Sequence, residues 1–338
     1  MLYVLPFLTG FISLYISLPL LVRFSTKLTR KLVFLPFFRW PRPIDLSHHT
    51  KLGLEGALSL RIPTQGGMEV GAWYVPPKSI SSQGKDLPLN SGHPVFIYLH
   101  GASGSRANMV RFKLYWILQN LDYHIVSFDY RGYADSSTVD ITEDTVVADA
   151  HFVVRFVEER KGNAPLFIWG HSLGTGVGTR LAAELCQDKR CPTGLILESP
   201  FNSLSEAARH HPLLLLYRYM PFFEHFFLRG AHDAGIIFNS EAHIVQVTSP
   251  ILILHAEDDF VIPFQLGKKL SEHARRSKAD PDLLKPELDR KDFRNLEKIN
   301  FKLIEAGSKC GHCKICAAPE FSEIVKNFVD FAIGQDVQ

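Results

Sequence analysis

Gly170-His171-Ser172-Leu173-Gly174 sets a serine between two glycines directly behind the apolar run Phe167-Ile168-Trp169. A serine hydroxyl is a weak nucleophile until a base takes its proton, and that base must be oriented by a third group. The chain supplies both further on: an acid from Glu257-Asp258-Asp259, then His312. Asp259 is preferred because it stands four residues ahead of Pro263, and Asp258 is the alternative. The chemistry implied is acyl transfer, in which backbone N–H groups must take the negative charge that develops on the carbonyl oxygen. The Leu173 amide, at the start of a helix, offers one donor. The Ala102 amide, in His100-Gly101-Ala102, offers the other, with His100 read as a brace of that loop.

Such groups need a frame that brings distant residues together. Val95–Leu99, His124–Phe128, Phe167–Trp169, Leu195–Leu197 and Ile251–Leu254 are continuous apolar runs separated by helical stretches, with a further strand expected over Met68–Val75 and a last one over Ile299–Glu305. Runs of this kind are strands buried on both faces, so the expected fold class is α/β: a mostly parallel central sheet with helices on both faces. Ser172, Asp259 and His312 then fall on three successive strand ends, and their order is that of the α/β-hydrolase fold. The serine sits at a sharp strand-to-helix turn, where a Cβ at Gly170 or Gly174 would collide with packed neighbours. Residues 201–247 break the rhythm and are rich in Phe and Leu; they are read as a cap insertion that faces lipid or an acyl chain, or simply packs on the sheet.

Composition excludes several classes. A 46% hydrophobic, 21% charged chain of 338 residues can bury a large core, and a net charge of +2 gives no footprint for nucleic acid. Residues 1–22 carry no charged side chain and are followed by Arg23, Lys27, Arg30 and Lys31, which favours an N-terminal membrane anchor over a cleaved signal peptide. Residues 23–53 form a juxtamembrane segment whose apolar stretch Leu32–Pro41 either lies in the membrane interface or packs on the domain. The hydrolase domain is expected over 54–334. Cys310, Cys313 and Cys316 read C-x-x-C-x-x-C, but no fourth ligand matches them, so neither metal nor cofactor is expected. Arg209, Arg218 and Arg229 in the cap either pair with an anionic headgroup or are solvated.

With Tyr98-Leu99-His100-Gly101, Phe128-Asp129-Tyr130-Arg131-Gly132, the Ser172 elbow, Leu197-Glu198-Ser199-Pro200-Phe201 and Leu252–Asp259 in view, the chain resembles the membrane-anchored lysophosphatidylserine and monoacylglycerol lipase subfamily of the α/β-hydrolase-domain proteins, the twelfth of that series. The resemblance implies a Ser172–His312–Asp259 triad, a lysophospholipid or monoacylglycerol substrate, a lipid bilayer as partner, and a place in the endoplasmic-reticulum membrane facing the lumen. The charges after the anchor argue instead for a cytosolic domain. The chain departs from the family's pattern at Ala134, where glycine is usual, at Ala102, and in its cysteine-rich base loop. Two other readings stand beside this one: an acyl-protein or acyl-CoA thioesterase on the same triad, and a catalytically silent scaffold.

Overall fold

The apolar runs are continuous because helices cover the sheet on both sides. The computed structural model describes residues 4–38, 46, 53–82, 87–279 and 298–336. Its strands are β1 (Leu58–Pro63), β2 (Glu69–Val75), β3 (Val95–Leu99), β4 (His124–Phe128), β5 (Leu166–His171), β6 (Gly194–Glu198), β7 (Ile251–Ala256) and β8 (Ile299–Ile304). They form one sheet in the order β1-β2-β4-β3-β5-β6-β7-β8. β1 and β2 pair antiparallel, as do β2 and β4; all pairings from β4 through β8 are parallel. β1 escapes a sequence reading because it is a short edge strand, buried only at Ile62.

Side chains alternate across each strand. On β3, Val95, Ile97 and Leu99 enter one core while Phe96 and Tyr98 enter the other; on β5, Ile168 and Trp169 divide in the same way. Helices α4 (Glu143–Lys161), α5 (Leu173–Gln187) and α9 (Phe264–Ala279) line the first face, and α3 (Met109–Asn120) and α10 (Phe321–Asp336) line the second. Because the strands are parallel, β3, β5, β6, β7 and β8 all end on the same edge of the sheet. Loops carrying polar groups therefore converge there without spending core residues.

The N-terminal segment is helical, and its described side chains pack in part on the domain. Among the described residues, no helix is long and apolar enough to cross a membrane. The second half of α1 (Val4–Phe24) lies against the insertion: Val22 is buried with Tyr217, Phe223 and Phe227, and Tyr15 stacks on Tyr217 at 4.8 Å. Arg23 pairs with Asp233 at 2.7 Å, so at least one of the charges behind the expected anchor serves docking. α2 (Thr26–Phe34), capped by Ser25, carries Phe34 fully into the main core, and Arg30 donates to the Ala234 carbonyl at 2.9 Å. Of the two readings left open for Leu32–Pro41, packing on the domain holds through Phe34; residues 39–41 lie outside the described residues.

The cap consists of short helices, α6 (Leu204–His210), α7 (Arg229–Asp233) and α8 (Ser240–Ile244), linked by turns. Glu143 fastens its far end by accepting the Ile237 and Phe238 amides at 2.7 and 2.6 Å. Cys186 and Cys191 form a disulfide, while Cys310, Cys313 and Cys316 are free.

Candidate active site

Ser172 stands between β5 and α5 with φ 52° and ψ −119°, a left-handed conformation that side chains avoid. The turn closes because both neighbouring glycines lack a Cβ. One added at Gly170 would lie 2.4 Å from the Gly174 carbonyl oxygen, and one at Gly174 would lie 2.1 Å from that of Leu99. No rearrangement of flexible side chains relieves either contact, since both obstacles are backbone.

The hydroxyl meets its partners at hydrogen-bond distance. His312 Nε2 lies 2.9 Å from Ser172 Oγ, and His312 Nδ1 lies 2.8 Å from Asp259 Oδ2. Burial alone would raise the Asp259 carboxyl, but His255 and His312 beside it and the Ile262 amide hold it below the ordinary carboxylate value. His255 Nε2 is 3.4 Å from Oδ2, while Oδ1 accepts the Val261 and Ile262 amides, both at 2.9 Å. An Asp259 bound this tightly stays ionised and fixes the imidazole by its Nδ1–H.

The alternative acid has another place. Asp258 Oδ1 accepts the Gly311 amide at 2.8 Å and Glu257 Oε2 accepts the Ala306 amide at 3.0 Å, so all three acids of the β7 loop grip the β8 loop that carries His312. His171, the variable residue of the Gly-x-Ser-x-Gly string, lies on the same loop's other side. Its Nε2 donates to the His312 carbonyl at 3.0 Å, which Ser199 Oγ also reaches at 3.3 Å. Burial, then the neighbouring His312, push the His171 imidazole down to about 3, so it remains neutral at any physiological pH. The sequence reading named His171 only within the motif, and nothing in the string marks it as a brace.

Leu173 and Ala102 are the residues expected to offer the oxyanion donors. Leu173 opens α5, and Ala102 and Ser172 line one cavity of about 210 Å³. The loop that carries Ala102 is tied from behind. Arg106 donates its amide and its guanidinium to Asp129, and the Ser103 and Gly104 amides donate to the Phe34 and Phe38 carbonyls at 3.1 and 2.9 Å. His100 Nδ1 donates to the Gly101 carbonyl at 2.7 Å, the bracing role expected of it.

The cysteines near the base are not rival nucleophiles. Cys316 is buried, which pushes its thiol up to about 12 and keeps it neutral near pH 7, whereas Cys313 is exposed. Among the described residues, no group of three or more His, Cys, Asp or Glu could hold a metal ion. Arg209, Arg218 and Arg229 border an open cleft of about 780 Å³ in the cap, apart from the cavity at Ser172. Arg209 pairs there with Glu224, and Arg218 lies over the Tyr219 ring at 5.0 Å. Ala134 adopts φ 45°, the left-handed conformation that the family's glycine would accept without strain.

The profile of a serine hydrolase family described as "Serine aminopeptidase, S33" matches residues 92–244. Lysophosphatidylserine lipase ABHD12 of Danio rerio is 41% identical over 79% of this chain and 72% of its own length. The protein of the same name from Xenopus tropicalis is 37% identical over 96% of this chain and 82% of its own. Among solved structures, an esterase of Pyrococcus furiosus superposes with a TM-score of 0.60 at 16% identity, over 87% of this chain and 97% of that one; this likeness speaks for the fold alone.

Proposed function

The chain belongs to the ABHD12 family of α/β-hydrolases, and on that premise we propose that it cleaves the acyl ester of single-chain glycerolipids, lysophosphatidylserine first and monoacylglycerol second. The observation that carries the mechanism is the pair of contacts from His312, 2.9 Å to Ser172 Oγ and 2.8 Å to Asp259 Oδ2. His312 takes the Ser172 proton as Oγ attacks the ester carbonyl. The Leu173 and Ala102 amides take the negative charge of the tetrahedral intermediate, with the α5 N-terminus adding its positive end. His312 then gives the proton to the departing glycerol oxygen, leaving an acyl ester on Ser172. Water, deprotonated by the same imidazole, attacks that ester and releases the fatty acid.

The experiment is turnover of lysophosphatidylserine, monoacylglycerol, acyl-CoA and a palmitoylated peptide by wild type and Ser172→Ala. Loss of roughly 10³-fold or more on the glycerolipids, together with loss of fluorophosphonate labelling, is expected. Retained turnover in Ser172→Ala would falsify the nucleophile assignment, and faster cleavage of either thioester would move the substrate class.

Membrane association in this reading comes from α1 and the cap. Ile16, Leu20 and Phe24 on α1 and Leu213, Leu216, Tyr219 and Phe222 on the cap are exposed apolar side chains near basic groups, the composition of an interfacial surface. The Cys186–Cys191 disulfide favours the lumenal side of the endoplasmic reticulum, because such bonds persist in oxidising compartments. Protection of the domain from added protease in sealed microsomes is the expected result, and digestion without detergent would reverse the orientation.

A further inference from the structure

The cavity at Ser172 contains a charged group that acyl transfer does not use. Arg111, in the first turn of α3, is only 7% exposed and lines the same cavity as Ser172 and His312. Three arginines are buried among the described residues, and the other two are matched with carboxylates: Arg106 with Asp129 and Asp135, Arg131 with Asp149. Arg111 has no carboxylate within ion-pair distance among the described residues. Its Nη2 donates to the Ser103 carbonyl at 3.1 Å and its Nη1 to the Ser105 carbonyl, both uncharged acceptors. A guanidinium has five N–H donors, so these two bonds leave others for a ligand.

Taking a guanidinium out of water with no opposite charge is costly, and folds avoid it unless the charge is supplied later. Glu198 is the acidic side chain that lines this cavity, and it is held elsewhere, accepting from Trp169 Nε1 at 3.0 Å. Burial pushes that carboxyl up to about 7 although Trp169 and the charge of Arg111 both favour its ionised form, so near pH 7 it is only a partial counter-ion, and it makes no ion pair with Arg111. Arg111 is thus a buried cation without an ion-paired carboxylate, in the cavity that Ser172 also lines. In a lysophospholipid, the phosphate is only a few bonds from the scissile ester.

We infer that Arg111 is the anion-binding residue of the substrate cavity, taking the phosphate or carboxylate of an anionic single-chain glycerolipid while Ser172 attacks its ester. The inference rests on the acyl-ester reading of Ser172. Guanidinium suits the task because its planar fork meets a phosphate or carboxylate with two parallel bonds. The cavity, about 210 Å³, is below the roughly 300–1,000 Å³ of sites that enclose a drug-sized ligand. It therefore encloses headgroup and ester and leaves the acyl chain to run outward.

Because Arg111 also braces the loop that carries Ala102, the test must separate charge recognition from loop support. For Arg111→Met, kcat/KM on lysophosphatidylserine should fall about tenfold or more beyond the fall on neutral monoacylglycerol, mainly through KM. Arg111→Lys, which keeps the charge, should recover part of that KM. Glycerol 3-phosphate should slow fluorophosphonate labelling of the wild type competitively and lose this effect in Arg111→Met. Equal losses on both lipids, or unchanged protection by glycerol 3-phosphate, overturn the inference and leave Arg111 a brace. A wild type that turns over neither lipid overturns the acyl-ester reading instead, while the glycerol 3-phosphate arm still reads Arg111.

Discussion

At the scale of single residues, the site depends on a few groups placed where their ordinary chemistry is disfavoured. Ser172 is held at positive φ, His171 is kept neutral, and Glu198 keeps its proton through burial. Glu198 makes a testable statement about stability. The unfolded chain loses this proton near 4.5, whereas the folded protein keeps it to about 7. The unfolded state therefore binds fewer protons between those values, and stability falls as pH rises through them. Denaturant unfolding at pH 5 and pH 8 should show wild type losing about 2 kcal/mol more than Glu198→Gln across that interval. Equal losses would mean that the carboxyl is not buried as described. The buried histidines are common to both proteins and cancel in the difference.

Among the elements, the N-terminal strap is the part whose packing on the domain the sequence left open. An apolar segment ahead of a domain looks the same whether it meets lipid or protein, because both environments reward the same side chains. Here α2 places Phe34 in the core, its carbonyl accepts Tyr133 Oη and the Ser103 amide, and Phe38 accepts the Gly104 amide. The strap thus supports the loop that carries Ala102. Phe34→Ala should cost about 3–5 kcal/mol in denaturant unfolding and should slow turnover of a soluble short-chain ester. An unchanged midpoint would return the segment to the role of a linker. By contrast, β3 through β7 were visible from their apolar runs, since strands covered on both faces need no polar alternation.

For the whole molecule, the exposed apolar side chains of α1 and those of the cap belong to two elements that share one apolar cluster. Vesicle flotation tests whether they form one surface. Replacing Leu213, Leu216 and Phe222 by serine should lower vesicle binding several-fold or more, because each side chain loses the apolar surface it would bury in lipid. Lipid turnover on vesicles should fall more than turnover of a soluble ester. Equal binding by the variant would confine attachment to α1.

By itself, the sequence determined the fold class, the serine elbow, and the order in which acid and base reach it. Those features depend on local periodicity and on glycines whose missing Cβ is legible one residue at a time. It also carried the preference for Asp259 over Asp258, through the spacing to Pro263. Only the tertiary structure decided which acid meets the imidazole and which meets the loop beside it, 2.8 Å from His312 Nδ1 and 2.8 Å from the Gly311 amide respectively. It likewise decided that part of α1 lies on the cap, that Phe34 enters the core, and that Arg111 lines the cavity with no ion-paired carboxylate among the described residues. Each of these depends on which residues, distant in the chain, share a space. Neither burial nor the absence of a counter-charge has a local signature in the order of amino acids.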